Sequence, residues 1–312
     1  MTSSLRAREV AAALLLDSLF GEPPETLHPT VWMGRVISAC AREPCASKSA
    51  RALYLRGALL ALSLPALVYI VVRGLLDLTP GRSRGPIEAA LISTALSMRG
   101  LGEAARTVER ELRAGDLERA RAGAAEMVGR DTAYLSAPEV ARAAVESVAE
   151  NTSDGVLAPM LYGLLFGAPG ALAYRAVNTL DSMVGYRVYP YAEFGWASAR
   201  LDDVANLAPS RITALMVAAV SGRPCHAFGS ALRYGPLTES PNAGRVEAAF
   251  AGALGARLGG PNAYGGIIRE GPLLGDGRPP GPQEIRHSVR LMRRCCALFV
   301  LAAVLAGRVG RG

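Results

Sequence analysis

The chain has 312 residues, of which 50% are hydrophobic and 20% are charged, a smaller charged share than the ~25% of typical soluble domains. Its 34 basic and 27 acidic side chains give a formal charge of +7, and Lys48 is the one lysine. Intrinsic disorder is excluded by the apolar content, and a disulfide scaffold by five scattered cysteines in a long chain. A P-loop nucleoside triphosphatase is excluded because no glycine loop precedes Lys48.

A positive mean hydropathy of +0.22 together with the basic excess favours a membrane protein. Residues 10–20 follow two arginines but contain Asp17 and no small-x-small cleavage site, so we predict a retained first helix. Residues 57–72 are uncharged and lie between Arg56 and Arg73. With the arginine stems extending it, this run reaches the ~20 residues that a bilayer requires and is the strongest predicted span.

Residues 99–147 alternate Arg and Glu with Ala and Leu at helical spacing, which predicts an amphipathic helical region outside the bilayer. Residues 155–174 are uncharged but interrupted by proline and glycine, so we predict a broken or hairpin-like segment. The shorter apolar runs at 212–222 and 295–307 fit spans or the buried core helices of a soluble protein. The pattern predicts an all-α fold: a polytopic, multi-pass protein of the cell membrane, with one domain over 1–312.

The first polar cluster lies directly before the broken segment and contains Glu146, Glu150, Asn151 and Asp154. Glu146 and Glu150 are four residues apart, so on a helix they share one face. Asp154 precedes a glycine and opens a turn into apolar sequence. A capped, solvated helix end is one interpretation. Against it, Asn, Asp and Gly crowd the boundary where the chain enters apolar sequence, which favours a functional site.

Two further clusters combine carboxylates with amides at helical spacing. Their members are Arg175, Asn178 and Asp181 in one, and Arg200, Asp202, Asp203 and Asn206 in the other. Carboxylate and amide oxygens suit Mg²⁺ that is shared with substrate phosphates. One arginine can bind two phosphate oxygens at once. Each pair alone is commonly a helix-surface pair, but three such clusters near apolar sequence favour a functional site.

The remaining motifs carry less chemistry. The Ser240–Pro241–Asn242 turn predicts a backbone that can bind an anion, and the glycines at 252–260 suit close helix packing. The cysteines lack metal-binding spacing and the three histidines are isolated, so we predict no histidine-based metal site.

The motifs together resemble the adenosylcobinamide-phosphate synthase family of cobalamin biosynthesis, known as CobD/CbiB. The matching segments occur in order over nearly the whole chain, at residues 17–34, 128–132, 146–159, 178–186, 191–206, 240–244 and 254–266. One departure is present, because the family has a basic, histidine-containing stretch before the Ser-Pro-Asn turn, where Leu237, Thr238 and Glu239 stand here.

The resemblance implies a membrane enzyme that joins aminopropanol, or its O-phosphate, to the free propionate carboxylate of adenosylcobyric acid by an amide bond. It implies ATP and Mg²⁺ as requirements, with the corrinoid cobalt being part of the substrate. It further implies small-molecule substrates, contact with membrane lipid, no nucleic acid, and association with copies of itself or with other enzymes of the pathway.

A mechanism follows as a hypothesis from this resemblance. Phosphoryl transfer would convert the carboxylate into an acyl phosphate, and Glu146 or Glu150 would accept the proton of the attacking ammonium group. The predicted catalytic residues are Glu146, Glu150, Asp154, Asp181 and Asp203. The predicted Mg²⁺ ligands are Asp154, Asp181, Asp202 and Asp203. The predicted substrate- and phosphate-binding residues are Arg130, Asp131, Asn151, Arg175, Asn178, Arg200, Asn206, Ser240 and Asn242.

Two other functions remain open on the sequence. One is a Mg²⁺-dependent intramembrane prenyl or phosphoalcohol transferase, whose acidic boxes are loosely similar to residues 178–181 and 202–206. The other is a corrinoid transporter or a membrane scaffold without catalytic activity, in which the polar residues would line a path.

Overall fold

The computed structural model describes residues 3–41, 49–185 and 191–309. Predictions that involve Cys45, Lys48 and Tyr186 lie outside these residues. The described helices are α1 (Ser3–Phe20), α2 (Pro29–Ala41), α3 (Ala50–Leu78), α4 (Gly81–Ser93), α5 (Met98–Ala114), α6 (Leu117–Ala125), α7 (Ala137–Asn151), α8 (Ala158–Phe166), α9 (Ala168–Val184), α10 (Trp196–Ala205), α11 (Leu207–Val220), α12 (Pro224–Arg233), α13 (Ala243–Leu254) and α14 (Pro282–Val309).

Four short strands interrupt the helical chain: β1 (Leu258–Gly259), β2 (Asn262–Tyr264), β3 (Ile267–Arg269) and β4 (Leu273–Leu274). β1 pairs with β4 and β2 with β3, both antiparallel. Because no described strand exceeds three residues, the predicted all-α class is confirmed. The chain forms two compact units, and the prediction of one domain over 1–312 stays a prediction. The first unit holds residues 1–97, 158–206 and 302–312, and the second holds 98–157 and 207–301.

In the first unit, α3 packs against α9 and α10, and α1 packs against α4 and α8. Gly57 of α3 lies against the backbone of Phe194, so closely that a Cβ at this position would collide with the Phe194 carbonyl oxygen. Helices approach this closely only where a small residue stands at the contact. Gly57 therefore fixes how α3 meets the segment that leads into α10.

α3 contains the predicted span at 57–72. Among the described residues it is the one helix long and apolar enough to cross a membrane, with a mean hydropathy of 2.1 and 28% of its most apolar window buried. Its outward side chains are large and apolar, including Leu59, Leu62 and Ile70, each 65% exposed or more. The further spans expected of a polytopic protein stay a prediction.

The predicted broken segment is confirmed. The chain leaves α7 through a π-helical turn at Thr152–Leu157 and enters α8. Gly167 then separates α8 from α9 with a φ of +76°, a conformation that glycine adopts without the steric cost of a side chain. The amide of Ala168, at the start of α9, donates to Glu88 Oε1 of α4 at 3.2 Å.

The second unit contains the charged region at 99–147, which forms α5, α6 and α7 as its periodicity predicts. A capping box of Ser136 and Glu139 begins α7, as expected where both side chains satisfy backbone amides. α12 packs against α13, and Gly252 of α13 contacts the His226 carbonyl, which confirms close helix packing at this glycine. The location of the charged region at 99–147 outside a bilayer stays a prediction.

Candidate active site

The second unit contains a cavity of about 300 Å³ whose wall is more polar than apolar. α7 contributes Glu146 and Glu150 from one face, as their spacing predicts, and α13 contributes Glu247. The loop before α7 supplies Arg130, and the strand-containing segment after α13 closes the opposite side. The remaining lining residues are Met127, Val128, Gly129, Ser147, Thr238, Gly259, Gly260, Asn262, Tyr264, Gly271, Pro272 and Leu274.

Glu146 is buried and both of its carboxylate oxygens are engaged. Oε1 accepts a hydrogen bond from the amide of Gly259 at 2.7 Å, and Oε2 lies 2.7 Å from Nη2 of Arg130. Nη1 of Arg142, one turn earlier on α7, lies 3.6 Å from Oε1. These contacts make Glu146 the centre of a buried network that joins α7 to the loop before it and to the segment after α13.

Arg130 and Arg142 hold the glycine-containing loop in place. Both donate to Oδ1 of Asn262, and Arg142 also donates to the carbonyls of Gly259 and Pro261. The loop can turn there because Gly259 and Gly260 have φ values of +71° and +89°, which side-chain-bearing residues rarely adopt. Arginine therefore anchors a tight backbone turn at the wall of the cavity.

Arg130 retains unused donors, because Nη2 is in ion-pair contact with Glu146 but makes no hydrogen bond within the described residues, and Nε has no polar contact of either kind. Arg130 is more than nine-tenths buried. A buried guanidinium nitrogen without a partner costs free energy. A ligand oxygen in the cavity would supply the missing acceptor.

Glu247 faces two other acids across the cavity and is partly buried. Burial raises the pKa of its carboxyl well above the ordinary value, and the charges of Glu146 and Glu150 raise it further, against the opposing effect of Arg130 and Arg142. A carboxyl shifted in this way is a better proton acceptor near neutral pH than an ordinary glutamate.

The Ser-Pro-Asn turn leads into α13. Ser240 Oγ accepts from the amides of Asn242 and Ala243 at 3.3 Å each, which caps the helix. Oδ1 of the buried Asn242 accepts from Ser210 and Arg211 of α11. These contacts give both residues structural roles, and neither of them lines the cavity.

Thr238 lies in the stretch before the Ser-Pro-Asn turn, where this chain departs from the basic, histidine-containing pattern of the family. Its hydroxyl donates to the Ser240 carbonyl at 2.8 Å, and its side chain lies against Gly244. Thr238 also lines the cavity. The residue that stands before the Ser-Pro-Asn turn therefore contacts both the turn and the candidate site.

Three other predicted residues of the second unit lie outside the cavity wall. Asp131 is tied to the β2–β3 hairpin, because its amide donates to Ala263 and its carboxylate accepts from Gly266. Asn151 donates to the Ser147 carbonyl at 3.0 Å. Asp154 lies partly buried in the π-helical turn.

The first unit contains a separate polar cluster around Asp202. Nδ2 of Asn206 donates to Asp202 Oδ2 at 3.0 Å, and Tyr174 donates to Oδ1 of Asn206 at 2.8 Å. Burial raises the pKa of Asp202 to about 6, although Asn206 and Asn178 favour the charged form. Its Oδ1 is buried and has no hydrogen-bond partner among the described residues.

The other predicted residues of the first unit lie on α9 and α10. Arg175 donates to Oδ1 of Asn178 at 3.2 Å, one turn along α9. The exposed Arg200 lies 3.5 Å from Asp203 Oδ2. Asp181 lies near the end of α9, and its carboxylate is so close to Gly185 that a Cβ at Gly185 would collide with it. The helical spacings that predicted these pairs are confirmed, and their catalytic roles stay predictions.

The predicted magnesium ligands are divided between the units. Asp154 belongs to the second unit, and Asp181, Asp202 and Asp203 belong to the first. Across residues 3–41, 49–185 and 191–309, no three His, Cys, Asp or Glu side chains are grouped as metal ligands. Mg²⁺ commonly uses only one or two protein carboxylates together with water and substrate phosphates, so the prediction stays open.

Several residues of the cavity were not predicted from the sequence. Glu247 carried a signal, because it is the one acid within the apolar helix α13. Arg142 carried another, because it stands four residues before Glu146. Asn262 and Thr238 line the cavity because the chain folds back on itself there, and no local sequence pattern reveals this.

The fold and the cavity define a predominantly helical protein with a carboxylate-rich, arginine-anchored site. The family model described as CobD/Cbib protein matches residues 10–292. "Cobalamin biosynthesis protein CobD" of Geobacter metallireducens is 46% identical over 310 residues, covering 95% of each chain. The Klebsiella pneumoniae protein of that name is 44% identical, covering 90% of this chain and 91% of its own. "Cobalamin biosynthesis protein CbiB" of Salmonella typhimurium is 40% identical, covering 96% of each.

No solved structure matches the chain. The family model and these relatives span almost its full length, so the chain belongs to the CobD/CbiB family.

Proposed function

We propose that this chain acts in cobalamin biosynthesis as an amide-forming enzyme. It joins the free propionate carboxylate of adenosylcobyric acid to the amine of aminopropanol or of aminopropanol phosphate. The names of the relatives, which are cobalamin biosynthesis proteins, support the pathway. The observation that carries the reaction is the cavity of the second unit, where three glutamates and a buried arginine with an unused donor meet.

An attacking amine must first be bound as an ammonium ion and then lose a proton. Glu146, Glu150 and Glu247 supply negative charge at one cavity, which favours a cation there. Glu247 is our candidate for the general base, because its raised pKa brings proton acceptance closer to neutral pH. Glu150 is exposed at the cavity and suits the capture of the incoming ammonium group.

Glu146 takes a different role in this scheme from the predicted one. Its two oxygens bind Arg130 and the Gly259 amide, so it positions the cavity wall instead of accepting the proton. Arg130 Nε is then the donor for an oxygen of the carboxylate or phosphate substrate. The two substrate charges, one positive and one negative, would each find an opposite partner in the same cavity.

The implied Mg²⁺ fits the cluster around Asp202 in one respect. A buried carboxylate oxygen without a partner, flanked by amide side chains, is a hard-cation ligand in need of a positive charge. Bound there, Mg²⁺ would offset the charge of phosphate oxygens. ATP, which the family resemblance implies, would be the co-substrate that supplies the phosphoryl group.

A membrane location is part of the proposal. The exposed leucines and isoleucine of α3 suit contact with lipid, and the cell membrane with further spans follows from the resemblance. Resistance of the expressed protein to alkaline carbonate extraction tests this point. Release into the supernatant would remove the membrane location.

The reaction is tested by incubating the membrane fraction that contains the protein with adenosylcobyric acid, ATP and Mg²⁺. Aminopropanol and aminopropanol phosphate are supplied separately, and the corrinoid product is read by mass. We expect a product that carries the added amine, and its absence when ATP or Mg²⁺ is omitted.

Two controls make the result specific. Glu247→Gln should lose product formation, whereas Glu118→Gln, an exposed acid of α6 away from the cavity, should retain it. Labelled prenyl diphosphate offered in place of the amine tests the transferase alternative. Absence of product from both amines would refute the proposal.

A further inference from the structure

α5 and α14 each carry arginines on one face at the same spacing. Positions 106, 110 and 113 of α5 and positions 286, 290 and 293 of α14 are related by four and then three residues. Such positions lie on one side of a helix. The two arginine rows line a common cavity of about 520 Å³ in the second unit.

One acid stands within this arginine cavity. Oε1 of the buried Glu109 accepts from Nε of Arg113 and from Nε of Arg286, each at 2.8 Å. One oxygen of this single carboxylate therefore joins the two helices through two cations. Six arginines and one glutamate line the cavity, so its wall has a net charge of +5.

Three of the six arginines lack a carboxylate partner. Arg110 pairs with Glu111 at 2.9 Å, and Arg113 and Arg286 share Glu109. For Arg106, Arg290 and Arg293 the described chain provides no ion pair. Each of these guanidinium groups has about five N–H donors, and all three side chains line the cavity.

The arrangement is unfavourable without an anion. Like charges one helical turn apart destabilise a helix, and this cavity repeats that spacing on both walls. Arg293 illustrates the cost, because desolvation lowers the pKa of its guanidinium and the charge of Arg106 lowers it further, whereas the charge of Glu103 opposes both effects. A protein that retains such repulsion gains when a multiply charged anion binds between the rows.

We propose that the arginine cavity between α5 and α14 binds a phosphate-bearing anion. Guanidinium groups match phosphate oxygens through paired hydrogen bonds, and two rows on facing helices suit a diphosphate or a phospholipid headgroup. The cavity is lined by residues other than those of the candidate active site. Binding at this cavity can be measured without turnover, so its test is independent of the amide-forming reaction.

The test uses the full chain purified in neutral detergent, with two probes. Radiolabelled inorganic pyrophosphate represents a free polyphosphate, and labelled short-chain phosphatidylglycerol represents a lipid headgroup. The variant combines Arg106→Gln, Arg290→Gln and Arg293→Gln, all at exposed positions. Because three guanidinium groups lose their hydrogen bonds to the phosphate oxygens, the affinity should fall by about 100-fold or more.

A matched control combines Arg82→Gln, Arg119→Gln and Arg308→Gln, which removes the same charge from exposed positions elsewhere. It should bind as the unmodified protein does. Loss of pyrophosphate binding in the cavity variant alone identifies a free polyphosphate site, and loss of phosphatidylglycerol binding alone identifies a lipid site. Equal binding by the two variants, or no binding of either probe by the unmodified protein, would overturn the proposal.

Discussion

Nη2 of Arg130 lies 2.7 Å from Oε2 of Glu146, and both side chains are buried in the second unit. The pair connects the loop before α7 to the middle of that helix. Through Gly259 and Asn262 it also holds the strand-containing segment that closes the cavity. The candidate site and the stability of the second unit therefore depend on the same two residues.

Arg130→Met should destabilise the protein strongly. The substitution leaves the Glu146 carboxylate buried with less compensation, and breaking one side of a buried ion pair costs about 3–5 kcal/mol. We expect a clear fall in the midpoint of thermal unfolding, measured in detergent at neutral pH.

Arg119→Met is the matched control, because Arg119 forms an exposed pair with Asp116 at 3.4 Å. Exposed pairs contribute about 1 kcal/mol at most. If the two variants unfolded at the same temperature, the buried pair would not have the structural role assigned to it.

Glu247→Gln should lower the turnover number by about 10²–10⁴-fold, the range for loss of a general base. Glutamine keeps the shape and polarity of the side chain but cannot accept the amine proton. Turnover is measured by mass detection of the amidated corrinoid under saturating substrates. The unfolding midpoint should not fall with the activity, which separates loss of the base from misfolding.

Glu146→Gln provides the contrast within the same cavity. If Glu146 positions Arg130 and Gly259, its variant should lose stability together with activity. A stable Glu146→Gln protein that lacks activity, combined with an active Glu247→Gln protein, would return the role of base to Glu146.

The pH dependence of turnover should show the raised pKa of Glu247. The base must be deprotonated to act, so activity falls as the pH drops through that pKa, which lies well above that of an ordinary glutamate. Glu150→Gln removes one of the negative charges that raise it. Its acid limb should therefore move to lower pH, as read from kcat measured across the acidic and neutral range.

Glu118→Gln, away from the cavity, should leave the acid limb unchanged. An acid limb in the unmodified protein at the position of an ordinary glutamate would contradict the assignment of Glu247.

The elements of this fold follow from local patterns, whereas the site depends on contacts between distant segments. The uncharged run at 57–72 predicted α3, and the prolines and glycines at 155–174 predicted a broken segment. The four-residue spacing of Glu146 and Glu150 placed both on one cavity wall. Glu247 is 101 residues from Glu146 in sequence, and no periodic pattern shows that α13 brings the two together. Family resemblance identified Ser240 and Asn242, but their hydrogen bonds cap α13 and join it to α11.

Asp202→Asn should abolish stabilisation of the protein by Mg²⁺. The proposed ligand is a carboxylate oxygen that is buried without a partner, and a carboxamide offers the cation no charge. We expect the unfolding midpoint of the unmodified protein to rise with millimolar Mg²⁺, as it does for any ligand that binds the folded state alone. The midpoint of Asp202→Asn should not respond.

Asp116→Asn, at the exposed start of α6, should retain the response to Mg²⁺. An equal response from Asp202→Asn and the unmodified protein would place the ion elsewhere.

Gly57→Ala should destabilise the first unit, although alanine is the better helix former. A Cβ at Gly57 would collide with the carbonyl oxygen of Phe194, and backbone cannot move aside as a flexible side chain can. Overpacking of this kind costs about 1–3 kcal/mol. Gly74 of the same helix has no atom within 4 Å of the corresponding position, so Gly74→Ala should add up to about 1 kcal/mol of helix propensity. Thermal unfolding in detergent should therefore shift in opposite directions for the two variants. A shift in the same direction would mean that α3 does not approach Phe194 in the folded protein.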